Sequence, residues 1–233
     1  MDVKSIDIGI DKIDKIYHIS DIHIRTLHRH IEYRQVFQNM FDYIALTSTG
    51  NSIAVVTGDI VHSKLDMSPE LIQMLVDFFI KFDIPTIVIL GNHDMNLNNQ
   101  HRMDAISPIL DVIRNKNIVF IKENGLFECG GITWNHMAVD VPPTEYILAK
   151  DFDAPYKIAL HHGAVNSAKT DIGYQISNEH VTTELFSGHD ITLLGDIHKP
   201  NQVLQTYSYE EIEVDELDVA EYLKNGWEIK QCF

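Results

Sequence analysis

Five short segments, spread along the chain, set metal-ligating residue types side by side: Asp21 and His23, Asp59 and His62, Asn92 and His93, His161 and His162, and Asp196 and His198. Carboxylate, imidazole and amide oxygen together suit divalent first-row metals such as manganese, iron, nickel or zinc, whereas a magnesium-only site rarely uses several histidines. Two such ions about 3.5 to 4 Å apart need a bridging carboxylate, and the pair can activate water while clamping both oxygens of an in-line phosphoryl displacement. Asp59, central in the series, is the natural bridge. Any one pair alone reads as an ordinary turn, so the repetition carries the signal.

Positioning these residues is a task for strands. Each pair follows an apolar run: Tyr17-His18-Ile19, Ala54-Val55-Val56, Ile87-Val88-Ile89, Ile158-Ala159-Leu160 and Thr192-Leu193-Leu194. In an α/β sheet, ligands gather at the carboxyl ends of the strands, so the five pairs are expected in one crevice. Between the first three runs lie helical patterns. Ile31, Val36, Phe37, Met40, Phe41 and Ile44 predict a helix over about 30–46. Ser68 as N-cap, Pro69 at the first position and Glu70 in the first turn open a second, which buries Leu71, Leu75, Phe78, Phe79 and Phe82. A third is expected near 102–115. In the second half, β-prone runs at 118–122, 132–139, 156–160 and 191–194 are punctuated by glycine and proline. They predict a second sheet packed on the first.

The chain has 233 residues, 45% of them hydrophobic, enough for one sizeable core. A single domain over 1–200 is expected. Residues 201–233 then form a short acidic tail, either a docking element or the stump of a reduced or missing capping region. The formal charge of -16 excludes a simple basic nucleic-acid binder. Part of that charge is local, since 206–233 carries eight acidic residues against Lys224 and Lys230. Cys129 and Cys232 are too few for a disulfide framework and fit a reducing compartment: the cytoplasm, a nucleus or a viral replication site. No secretory h-region and no run of about 18 apolar residues occurs, so neither secretion by such a signal nor a membrane span is expected.

Asp21-Ile22-His23, Gly58-Asp59-Ile60-Val61-His62, Gly91-Asn92-His93-Asp94, His161-His162-Gly163 and Gly195-Asp196-Ile197-His198 resemble, in order and type, the motifs of calcineurin-like metallophosphoesterases. His62 and the Gly-Asp-Ile-His-Lys-Pro run look most like the SbcD-type DNA repair exonucleases, including versions carried by phages and large DNA viruses. The resemblance implies a four-layer αββα sandwich with two central mixed sheets flanked by helices. It also implies two divalent ions, manganese first, with magnesium, iron, nickel or zinc as substitutes. Carried over, Asp21, His23, Asp59 and His198 hold one metal, and Asp59, Asn92, His161 and Asp196 the other. His93 protonates the leaving alkoxide, Asp94 orients its imidazole and His62 helps position His93 or the phosphate, while a hydroxide activated by the metals attacks. The chain departs from the family at Asp196, where a histidine is usual; the swap shifts preference towards harder ions.

Two assignments stay open at this stage. His161 and His162 are adjacent and point in different directions; the family pattern favours His161 as the ligand. His62 serves either the phosphate or a supporting hydrogen bond. His28, His30 and His101 follow motif loops and read as exposed histidines. His189 precedes its strand and so lies at the wrong end, and the polar loop 169–174 could rim the site through Lys169.

The implied activity is a DNA nuclease subunit of an SbcCD-like repair or recombination complex. Its partners would be DNA and a coiled-coil SbcC-type ATPase, with a homodimer as an assembly state and no membrane. A small-substrate enzyme, either a cyclic-nucleotide phosphodiesterase or a phosphomonoesterase, shares the metal core and needs no basic groove. A non-catalytic scaffold would have little need of His93.

Overall fold

The computed structural model describes residues 2–99, 101–170 and 172–198, together with the backbone of 228–231. Two five-stranded sheets pack face to face. The first contains β2 (Lys15–Ile19), β3 (Ser52–Thr57), β4 (Thr86–Ile89) and β5 (Ile118–Phe120), with β10 (Glu228–Gln231) on the outer edge beside β2. The second has the order β1 (Val3–Ser5), β6 (Gly125–Cys129), β7 (Ile132–Met137), β8 (Lys157–His162) and β9 (Ile191–Gly195).

This is the expected α/β architecture, with adjustments. The first sheet is parallel throughout, and only the second is mixed, through the antiparallel β6–β7 hairpin. Residues 118–120 complete the first sheet rather than opening the second. Two strands lack a sequence signal of their own: β1, in the charged lead-in, and β6, in the glycine-punctuated stretch that starts at Gly125. Of the expected tail, 228–231 pairs with β2. The boundary at 200, the strand expected at 201–206 and the helix expected at 215–224 lie outside the described residues.

Side-chain alternation sets the layers. Ile53 and Val55 of β3 face the second sheet and meet Trp134, Ile158 and Leu160, while Ala54 and Val56 face the helices. On that outer side α1 (His30–Thr47) buries Phe37, Met40 and Ile44, leaving Ile31 exposed against expectation. Helix α2 (Pro69–Ile80) starts as expected, Ser68 accepting from the Leu71 N–H at 3.3 Å. Helix α3 is only Ser107–Ile113, because Asp104 takes up the Ile106 and Ser107 N–H groups and Pro108 fits only a first turn. Arg114, in the left-handed region at φ 50°, ends it. The far face of the second sheet is covered by three 3-10 turns and loops around Met137, Ala159, Val165 and Phe186, so among the described residues the fourth layer holds no α-helix. None of the described helices is long and apolar enough to cross a membrane.

Candidate metal centre

At the carboxyl ends of β2 and β3 the two segments continue to pair after the strands stop. Asp21 N–H donates to the Gly58 carbonyl (3.2 Å), His23 N–H to Asp59 (2.9 Å) and His62 N–H to Ile24 (3.0 Å). Five site residues, in these turns and in the one after β9, have left-handed backbones: Asp21 (φ 55°), His23 (49°), Asp59 (51°), Asp196 (68°) and His198 (51°). Both Asp-Ile-His triplets thus share one conformation, which turns carboxylate and imidazole to the same side. Aspartate and histidine tolerate this region better than most residues, but each instance still costs on the order of 1–3 kcal/mol. Asp196 N–H donates to Asp21 Oδ1 (2.9 Å), tying the second sheet to the first.

The side chains converge in two groups that share Asp59. Asp21, His23, Asp59 and His198 each bring one ligand atom within 4.8 Å of the others, as do Asp59, His162 and Asp196. Asp59 is fully buried; its Oδ2 lies 3.5 Å from His23 Nε2 and its Oδ1 3.2 Å from His162 Nε2. The Nε2 atoms of His23 and His198 face each other at 2.9 Å. The Asn92 amide lies 3.0 Å from His162 Nε2. In the protein alone that amide is best satisfied with its nitrogen towards Asp59, and a half-turn presents its oxygen instead.

Two expectations need correction. His161 is not at the centre. Its Nδ1–H donates to the Met137 carbonyl (2.8 Å) and its ring packs against Tyr146 and Phe186, on the far face of the second sheet. His162 takes its place, held by Nδ1–H donation to the Thr57 carbonyl (2.6 Å), which leaves Nε2 turned to Asp59. The signal was present in the sequence: Ile158 and Leu160 are the bulky members of β8 and face the other sheet, and His162 shares their parity. Asp94 does not touch the His93 ring. Fully buried, its carboxylate accepts from the backbone N–H groups of Ile60, Val61 and Gly91 (2.9 to 3.0 Å) and locks the β3 and β4 turns together. What orients His93 is the His62 carbonyl, which accepts from its Nδ1–H at 2.6 Å. The His62 ring stacks on that of His93 at 5.6 Å. His189 lies where expected, at the amino end of β9, donating to the Phe186 carbonyl.

Among the described residues no lysine or arginine pairs with Asp21, Asp59 or Asp196; the ion-pair partners of Asp21 and Asp59 are histidines. Burial raises the Asp94 carboxyl to about 7 against the opposing pull of the Val61 and Gly91 N–H groups. Burial lowers His23 to about 4. Burial also works to lower His162, but its hydrogen bond to Asp59 and the charge of that carboxylate prevail and lift it to about 9.

Residues 14–200 match the family model described as Calcineurin-like phosphoesterase. The chain belongs to that family. Members hydrolyse phosphoesters with divalent metals. Uncharacterized protein R555 of Acanthamoeba polyphaga mimivirus is 40% identical over 200 residues, 81% of this chain but 15% of the viral protein, so the chain spans a small part of that relative. The Pseudomonas putida nuclease MPE overlaps at a TM-score of 0.36 with 13% identity, over 70% of this chain and 67% of that one.

The residues present suit such metals. Three carboxylates, Asp21, Asp59 and Asp196, converge with no lysine or arginine among the described residues to neutralise them, and the Nε2 atoms of His23 and His198 face each other at 2.9 Å. A divalent cation held among these donors would offset the carboxylate charge and accept an imidazole lone pair.

Proposed function

We propose that this domain hydrolyses phosphodiester bonds, with DNA as the substrate and two divalent cations, manganese foremost, held by Asp21, His23, Asp59 and His198 on one side and Asp59, Asn92, His162 and Asp196 on the other. The observation that carries the reading is the pair of ligand groups sharing the buried Asp59. When bound, the cations supply Lewis acidity, an activated water and a clamp on the phosphoryl oxygens. The protein's own part is orientation and proton transfer. With Nδ1–H committed to the His62 carbonyl, His93 keeps Nε2 for the leaving oxygen, and a proton held there passes to the departing alkoxide. Stacking by His62 and the edge of His23, at 4.8 Å, restrict the His93 ring to that role.

A coiled-coil SbcC-type ATPase, or a homodimer, would supply DNA grip that a chain of charge -16 lacks by itself. That same charge favours a second reading, a small phosphodiester or monoester as substrate. Manganese-dependent turnover of single- and double-stranded DNA, compared with bis(p-nitrophenyl) phosphate and p-nitrophenyl phosphate, separates the two. His93→Ala should lower kcat on the preferred diester by about 10²–10⁴. DNA left intact beside a hydrolysed small ester would decide for the second reading, and no turnover of any ester would remove both.

A further inference from the structure

Three loops that follow the strands carrying the centre share a feature that the chemistry above does not use. Each sets a cation within two residues of an exposed aliphatic side chain: Arg25 with Leu27 after β2, Lys64 with Leu65 after β3, and Arg102 with Met103 after β4. Leu27, Leu65 and Met103 are 68%, 67% and 74% exposed. None of the three cations pairs with a carboxylate among the described residues, in a chain where acids outnumber bases 34 to 18.

The loops form one rim. Thr26 Oγ1 donates to the Asp66 carbonyl at 2.7 Å, joining the first loop to the second. Lys64 Nζ donates to the Asn92 carbonyl at 2.9 Å, joining the second to the turn after β4. Ala105 N–H donates to the Asp94 carbonyl at 2.8 Å, drawing the segment that bears Met103 back to that turn.

A solvent-exposed aliphatic side chain gains by burial only if its partner brings an apolar face, and an adjacent cation gains only if the partner brings an anion. A nucleotide whose base is unpaired offers both at once. A duplex hides its base faces in the stack. We propose that this rim binds an unpaired nucleic-acid strand, its phosphates on Arg25, Lys64 and Arg102 and its bases on Leu27, Leu65 and Met103. The proposal rests on the phosphodiesterase reading for its biological sense, but the binding it asserts is independent of turnover.

Fluorescence anisotropy in EDTA tests it, with a labelled oligonucleotide of about 15 nucleotides, an abasic strand of equal length and a duplex. The unpaired strand should bind at least about tenfold more tightly than the abasic one and the duplex. The Leu27→Ser/Leu65→Ser double variant, checked for an unchanged thermal midpoint, should lose that preference and keep the abasic affinity. Three phosphate contacts to a single strand predict a slope of log K against log salt near about -2. Equal affinity for base-bearing and abasic strands would overturn the inference. So would a double variant that binds the strand normally yet changes sedimentation, which would give the rim to a protein partner or a second copy. Because no catalysis is needed, a failure here and a failure of the hydrolysis assay are read separately.

Discussion

His161 and His162 carry the same side chain one position apart and end on opposite faces of β8, one in an apolar cluster and one against Asp59. Their substitutions should therefore separate cleanly. His162→Ala should weaken manganese binding, read by calorimetry, and kcat/KM by at least about a hundredfold, the upper end of what losing a mere supporting partner of a ligand costs. His161→Phe should leave both nearly unchanged, since the ring packs among Tyr146 and Phe186 and its Nε2 has no partner among the described residues. The reverse pattern would restore His161 as the ligand. Residue types in the five motifs were readable in the sequence; the choice between these neighbours depended on strand parity, which Ile158 and Leu160 recorded but which the family pattern overrode.

At the scale of elements, the centre depends on how closely the β3 and β4 turns approach one another. A Cβ on Gly91 would collide with Asp59, both its backbone nitrogen and Oδ1, and would crowd the His162 ring. Overpacking of this kind costs about 1–3 kcal/mol. Gly91→Ala should accordingly displace Asp59 and lower manganese affinity at least about tenfold by calorimetry, with the fold retained by circular dichroism; unchanged affinity would show that the turns have slack. Helix positions followed from N-caps and apolar spacing, as at Ser68, and the strands of the first sheet from their β-rich runs. Strands β1 and β6 did not, because short segments pair by tertiary contact rather than by intrinsic pattern.

Over the whole molecule, buried histidines set the response to acid. Burial lowers His136, whose Nδ1–H donates to the Glu123 carbonyl, to about 3, and His18 to about 4. Unfolded, both titrate near about 6.5. Between those values the unfolded chain binds more protons, so stability is full above about 6.5 and falls as pH drops, by up to about 1.4 kcal/mol per pH unit for each such histidine. Asp94, lifted to about 7, acts the other way over much of that range, favouring the folded state at low pH. The histidine share is therefore read as a difference. The urea midpoint of His136→Phe should fall less steeply than that of the parent between pH 6.5 and 4.5, and parallel curves would refute the assignment. In the metal-free protein His162 adds stability that is complete below about 6.5 and is lost as pH rises through about 9.

Residue chemistry and hydrophobic period are local properties, so the kinds of ligand, their order and their placement after apolar strands were legible in the sequence. It also determined the two-sheet class and the acidic balance. Packing decided that His162 rather than His161 meets Asp59, that Asp94 holds backbone instead of the His93 ring, and that the loops bearing Arg25, Lys64 and Arg102 are tied to one another. Those outcomes depend on which face a strand presents and on which turns, distant in sequence, close to hydrogen-bonding distance, and both are set by the packing of one sheet on the other.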